Sequence, residues 1–195
     1  MSQSTSLSVV SDPDRRTALR ASTARIVTRT AAGRLGLVKR PGWIAVAAEE
    51  ALLFTDEWRQ TIVAMLERDG IDVLYAVPLH SAIDEPPLEV PATQPGLAEM
   101  QTELGAFDFV LFPSGEGWAI VSTRDDIAAF LGPEDVVPGT IGGDPAKARA
   151  ELEDFLDHEG FWPSDVLAYI RSLIAAIEAY NELADSEITV LPVDV

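Results

Sequence analysis

The sequence predicts an α+β fold: a central antiparallel β-meander with flanking helices, and a strand-helix-strand unit N-terminal to it. Three observations carry this. Phe107, Phe109 and Leu111 alternate with Asp108, Val110 and Phe112 ahead of a turn at 113–117, and Trp118, Ile120 and Ser122 alternate with Ala119, Val121 and Thr123 after it. Apolar residues at 166, 167, 169, 170, 173, 174, 177 and 180 keep the three-and-four spacing of an amphipathic helix over four turns. A capped helical stretch that begins at Thr55-Asp56 lies between two runs rich in β-formers.

Taken in order, residues 1–14 are rich in Ser, contain Asp-Pro-Asp and lack an apolar period, which predicts disorder. Residues 15–34 are open to helix, although Thr, Ser and Gly weaken it. Pro41-Gly42 marks the entrance to the folded body. Residues 43–47 read as a strand, though a short apolar run is also compatible with a buried helix. Trp58, Ile62, Met65 and Leu66 form the stripe of the next helix, and Gly70 sits at its stop. Residues 71–77 then read as a buried strand. Five prolines between 78 and 96 predict an extended surface loop, followed by a short helix at 97–104.

The connection at 113–117 is the turn of a hairpin, with Gly115 and Gly117 supplying the positive φ such a turn commonly requires. Ser114 fails as a nucleophile elbow, because Phe112 stands where that motif needs glycine and a strand follows instead of a helix. Neither this loop nor 139–143 leads into the Lys-Ser/Thr pair of a phosphate loop, and the dinucleotide glycine spacing is absent. Arg124-Asp125-Asp126 reads as a second turn and 127–131 as the third strand. Pro133 suits a first helical position, and 138–143 reads as a flexible link. Asp144-Pro145 opens a helix that Gly160 closes, Pro163-Ser164 opens the last helix, and 188–191 adds a closing strand, with the helices expected to pack on one face of the sheet.

Charge divides the chain. Residues 1–40 hold eight basic and two acidic side chains, a net of +6, whereas the remaining 155 hold six basic and thirty acidic, a net of −24. The expected organisation is a basic, largely flexible N-terminal arm at 1–40 and an acidic α+β globular domain at 41–195. Such a body repels nucleic acid and acidic membranes and favours basic partners, while the arm is free to do the opposite or to lie on its own body. Arg15, Arg16, Arg20, Arg25, Arg29 and Arg34 are the candidate partner-binding residues of the arm. On a helical wheel the arginines at 16, 20, 25 and 29 spread to opposite sides, so they do not make the cationic face of a transit peptide, and Asp12 and Asp14 also oppose that reading. Arg15-Arg16 opens like a twin-arginine export signal, but further arginines stand where its apolar core belongs.

No cysteine is present, which excludes disulfides, thiolate catalysis and cysteine-ligated metals and fits a reducing cytoplasm. The apolar runs fall far short of the ~20 residues of a membrane span. Residue usage, with twelve arginines against two lysines, resembles that of a GC-rich bacterium.

Two constellations are candidates for chemistry. His80, beside Asp84 and Glu85 at the mouth of the proline-rich loop, has the residue types of a general base and its orienting carboxylates. Glu151, Asp154 and His158 share one helix face, where a hard or borderline metal could use them; a solvated face explains the same residues. No cofactor motif is legible. The leading expectation is a cytoplasmic bacterial binding, adaptor or inhibitor-type protein whose acidic body engages a basic protein partner. The alternatives are a small enzyme using His80 and nearby carboxylates, or a nucleic-acid-associated protein binding through residues 15–40.

Overall fold

The computed structural model describes residues 6–31, 34–79, 85–105, 107–123, 127–158 and 163–192. The meander is realised as β7 (Phe109–Pro113), β8 (Ala119–Ser122) and β9 (Ile127–Pro133), each antiparallel to the next. On the far side β9 pairs with β4 (Trp43–Glu49), which runs the length of the sheet's edge. On the near side β7 pairs with β5 (Val73–Pro78), β5 with β6 (Leu88–Pro91), and β6 with the two-residue β1 (Ser8–Val9). The result is a seven-stranded sheet in the order β1-β6-β5-β7-β8-β9-β4.

Apolar side chains on both sides of β7, β8 and β9 show that neither face of this sheet meets water. One face carries α2 (Asp56–Arg68), α3 (Gln94–Leu104) and α4 (Val137–Ile141), with Trp58, Ile62, Leu66, Leu97 and Met100 packed on Leu111, Ile120 and Phe130. The opposite face carries α6 (Ser164–Ala179) through Ile170, Leu173 and Ile177, and α5 (Pro145–His158) through Leu152 and Leu156. Helices therefore cover both faces, where the sequence predicted one. Val110, Phe112 and Val121 are core residues of the second face, which explains why the strands alternate in position but not in polarity.

The capping signals of the sequence are used locally. Thr55 Oγ1 accepts from the Trp58 N–H at 3.1 Å to start α2, and the chain leaves that helix at Gly70 with φ 67°. Asp144 accepts from Ala146 N at 2.9 Å at the head of α5. Residues 138–143, expected to be a link, instead include the short helix α4, with Pro138 in its first turn. The proline-rich stretch likewise contains a strand. In β6 the even-numbered Leu88 and Val90 face β5, so the nitrogens of Pro87 and Pro91 point the other way, to the side of the two-residue β1, and their missing N–H leaves the ladder to β5 intact.

The largest departure concerns residues 1–40. Their described part is neither disordered nor an appendage: it forms β1, α1 (Pro13–Ala24), β2 (Val27–Arg29) and β3 (Leu35–Val38). β3 is the middle strand of a second sheet in the order β10-β3-β2, completed by β10 (Ile188–Val190) from the other end of the chain. Val10, Leu19, Ile26, Val27 and Leu37 are buried in the same core as Ile170, Leu173, Ile177 and Tyr180. The basic segment is thus a structural half of one face.

Candidate functional site

The hairpin tip between β7 and β8 is where the two charge populations of the chain meet. Glu116 is the residue there with left-handed backbone, at φ 49°, and the conformation assigned from sequence to its flanking glycines falls on the glutamate. Its N–H donates to the Pro113 carbonyl at 2.9 Å, closing the turn. This backbone turns the carboxylate back toward the N-terminal segment, where the Arg25 Nε donates to it at 3.2 Å and the Arg25 Nη2 donates as well. Arg40 Nη1 approaches Oε2 at 3.4 Å and the Glu116 carbonyl at 3.3 Å.

Arg40 is itself fixed. Its guanidinium lies 4.1 Å from the centre of the Trp43 ring, and its backbone N–H donates to the Tyr180 hydroxyl at 3.1 Å. Next to it Lys39 Nζ sits 4.6 Å from the centre of the Tyr180 ring and donates to the Trp43 carbonyl at 2.6 Å. Burial pushes the Tyr180 phenol up, against the opposing pull of Arg40. For Glu116, burial raises the carboxyl pKa, but hydrogen bonds from Arg25 and Ser22 and the charges of Arg25 and Arg40 outweigh it and hold the carboxyl below the usual range.

A depressed folded-state pKa means the clamp contributes stability above the ordinary carboxylate range and loses it as pH falls through the depressed value. Replacing Glu116 by Gln, which keeps the backbone preference, should cost about 1 kcal/mol at neutral pH, because Arg25 is 56% exposed and water screens its half of the pair. Urea melts should show the gap between wild type and variant closing in acid. A gap independent of pH would mean that the charge contributes nothing.

Of the arm's candidate arginines, Arg15 donates to the Tyr75 hydroxyl at 2.5 Å, pairs with Glu89, and lies 5.3 Å from the centre of the Tyr75 ring. Arg16 Nε donates to the Val10 carbonyl at 2.5 Å, and Arg29 to the Leu79 carbonyl. Arg20 and Arg34 are exposed. A flexible phosphate-binding arm of six cations is therefore not what the structure contains: Arg15, Arg16, Arg25 and Arg29 direct their guanidinium groups at their own chain.

His80 and Asp84 lie outside the described residues, so their grouping with the half-buried Glu85 has no geometry here. On α5, Glu151 is exposed and pairs with Lys147 at 3.3 Å, Asp154 is exposed, and the His158 side chain lies outside the described residues. Among the described residues no three His, Asp or Glu side chains converge as a metal site would require. Ser114 is exposed at the hairpin tip.

Three features escaped the sequence. Glu50 is buried, and its carboxylate accepts from the hydroxyl of the fully buried Ser122. Asn181 closes part of the sheet's edge by bonding both backbone groups of Ala45. The third is a cleft of about 290 Å³ between the α2–β5 turn and β6, rimmed by Glu67, Asp72 and Glu89 with Ser8 and Thr93. The acidic rim gave no sequence signal, because carboxylates are everywhere in this chain.

No family model and no curated protein matches the chain. Among solved structures it is similar to the Pseudomonas aeruginosa T6SS protein PA0821, at 14% identity and a TM-score of 0.32, over 70% of this chain and 47% of that one. The matched part is thus about half the length of that protein. Among the described residues no helix is long and apolar enough to cross a membrane.

Proposed function

We propose that this chain is a cytoplasmic bacterial binding protein, of adaptor or inhibitor type, whose acidic body engages a basic protein partner. The observation that carries the reading is the net charge of −24 over residues 41–195, whose cleft of about 290 Å³ opens between Glu67, Asp72 and Glu89. The size suits one or two side chains, and carboxylates on its rim favour a guanidinium or ammonium group over an anion. The chain's own cations neutralise part of the body, one rim carboxylate included: Arg15 lies on Glu89, and Arg25 and Arg40 on Glu116. The remaining acidic field is available to a partner, and its effect is on encounter rate and partner choice more than on affinity.

The immobilised protein should retain a basic protein at about 0.05 M salt and release most of it at about 1 M, where the screening length falls to about 3 Å. Reversing charge at Glu67, an exposed rim carboxylate, should slow association at low salt and leave the melting temperature nearly unchanged. An empty pull-down under both salt conditions would sink the reading.

A further inference from the structure

Among the described residues, nothing covers the outer edge of the smaller sheet at β10. In the pairing of β10 with β3, Lys39 N–H donates to the Glu187 carbonyl and Leu191 N–H to the Leu35 carbonyl, both at 2.8 Å. Residues 187, 189 and 191 therefore face β3, and the N–H and C=O groups of Ile188 and Val190 point away from the sheet. No described residue pairs with these four backbone groups. The side chains follow the same alternation. Thr189 is turned to α6, where its hydroxyl donates to the Ala176 carbonyl at 2.9 Å, whereas Ile188 and Val190 lie on the opposite face, 46% and 41% exposed.

Edge strands are ordinarily shielded by shortness, charge, proline or a cover. Elsewhere this chain follows that rule. Asn181, Lys39 and Arg40 bond the outer backbone groups of β4 at Ala45 and Trp43, β1 is two residues long, and β2 carries Arg29. β10 is short, and Pro192 follows it, but its Ile-Thr-Val carries no charge and no described residue covers its outer backbone groups.

We infer that the β10 edge takes up an extended, basic segment of a partner polypeptide as a fourth strand of the smaller sheet. The outward backbone groups of residues 188 and 190 match the two-residue repeat of an added strand, and the two apolar side chains call for apolar residues opposite them. Charge selects the occupant. Glu182, Asp185 and Glu187 stand exposed on the approach to β10. A second copy could pair Ile188 with its Val190, but it would bring the same carboxylates and a net −18 of its own. A cationic segment gains where a second copy loses. This inference rests on the proposed binding of basic partners and gives that binding an address.

The test uses acetyl-Lys-Val-Lys-Val-Lys-Val-Lys-amide as probe. It should slow amide exchange at Ile188 and Val190 in the full chain by about tenfold or more. The same peptide with Glu in place of Lys, or with N-methylated valines, should not. Val190→Pro removes an outward donor and one of the two exposed apolar side chains and leaves the ladder to β3 intact, so it should weaken probe binding about tenfold at an unchanged melting temperature. Ile188→Lys at the exposed position should weaken it as well. Unaltered exchange at β10, or equal affinity in Val190→Pro and wild type, overturns the inference. So does a dimer of the protein alone that Val190→Pro dissociates, because the edge then belongs to a second copy. Salt-sensitive probe binding that leaves the β10 amides untouched removes this inference and keeps the broader basic-partner reading. An empty pull-down removes that reading separately.

Discussion

A chain that begins at residue 41 should not fold. Truncation there removes β3, the middle strand of the smaller sheet, so β10 loses its partner along its whole length. It also removes the buried side chains of Val10, Leu19, Ile26, Val27 and Leu37, which lie in one core with Ile170, Leu173 and Ile177. At about 2 kcal/mol for each large aliphatic side chain the loss is about 10 kcal/mol, the size of a whole domain's stability. The expected result is a chain with no cooperative transition in urea or on heating. Leu37→Ala is the graded form of the same experiment and should cost about 2–5 kcal/mol. A truncated chain that melts within a few degrees of the full one would show the basic segment to be dispensable. The prediction also bears on nucleic-acid binding: loss of binding on truncation would report unfolding, so charge reversal at the exposed Arg20 and Arg34 is the informative substitution.

How much of this was legible in the sequence depended on whether a signal was local. The helix at 164–179 repeats its apolar spacing over four turns, and each strand of the meander lies beside its neighbour in sequence, so short-range pattern sufficed for both. The segment 1–40 offered no such pattern. β1 is completed by residues about eighty positions away, and β3, besides its local partner β2, by residues about 150 away, so much of the order there comes from partners that a local window does not contain. Prolines hid β6 for a different reason. Their presence counts against a strand unless their nitrogens face away from the ladder, and that orientation is fixed only once the neighbouring strands are in register.

The candidate site was less legible still. Separation of charge along the chain was plain in the sequence, but its reading as a free cationic arm inverted what the charges do at the hairpin. Arg25 and Arg40 reach Glu116 over gaps of 91 and 76 positions, and the same electrostatics that would draw a partner draws the chain's own leader first. That order has a consequence for recognition. Acid already matched by Arg15, Arg25 and Arg40 contributes little to a partner, so selectivity must come from other carboxylates, such as the exposed Glu67 on the cleft rim and Glu182 near β10.

Loss of Asn181 should have the second-largest effect. β4 forms one edge of the large sheet, and Ala45 turns its N–H and C=O away from β9. The Asn181 side chain satisfies both, its Oδ1 accepting from the Ala45 N–H at 2.8 Å and its Nδ2 donating to the Ala45 carbonyl at 2.9 Å. An amide is the one side-chain group that copies the donor and acceptor of a neighbouring strand. Beside it a groove of about 280 Å³, lined by Ala47, Pro145, Arg149 and Glu178, lets water reach the edge, which limits the penalty. Asn181→Ala should therefore cost about 1–3 kcal/mol. Asn181→Asp should cost at least as much, because it replaces the donor to the Ala45 carbonyl with a second acceptor and adds a charge to the groove that holds Glu178. Asn181→Gln has the same amide on a longer stem and should recover part of the loss. Chemical melts of the three variants separate the contributions, and an Asp variant as stable as wild type would show that the bond to the Ala45 carbonyl does not matter.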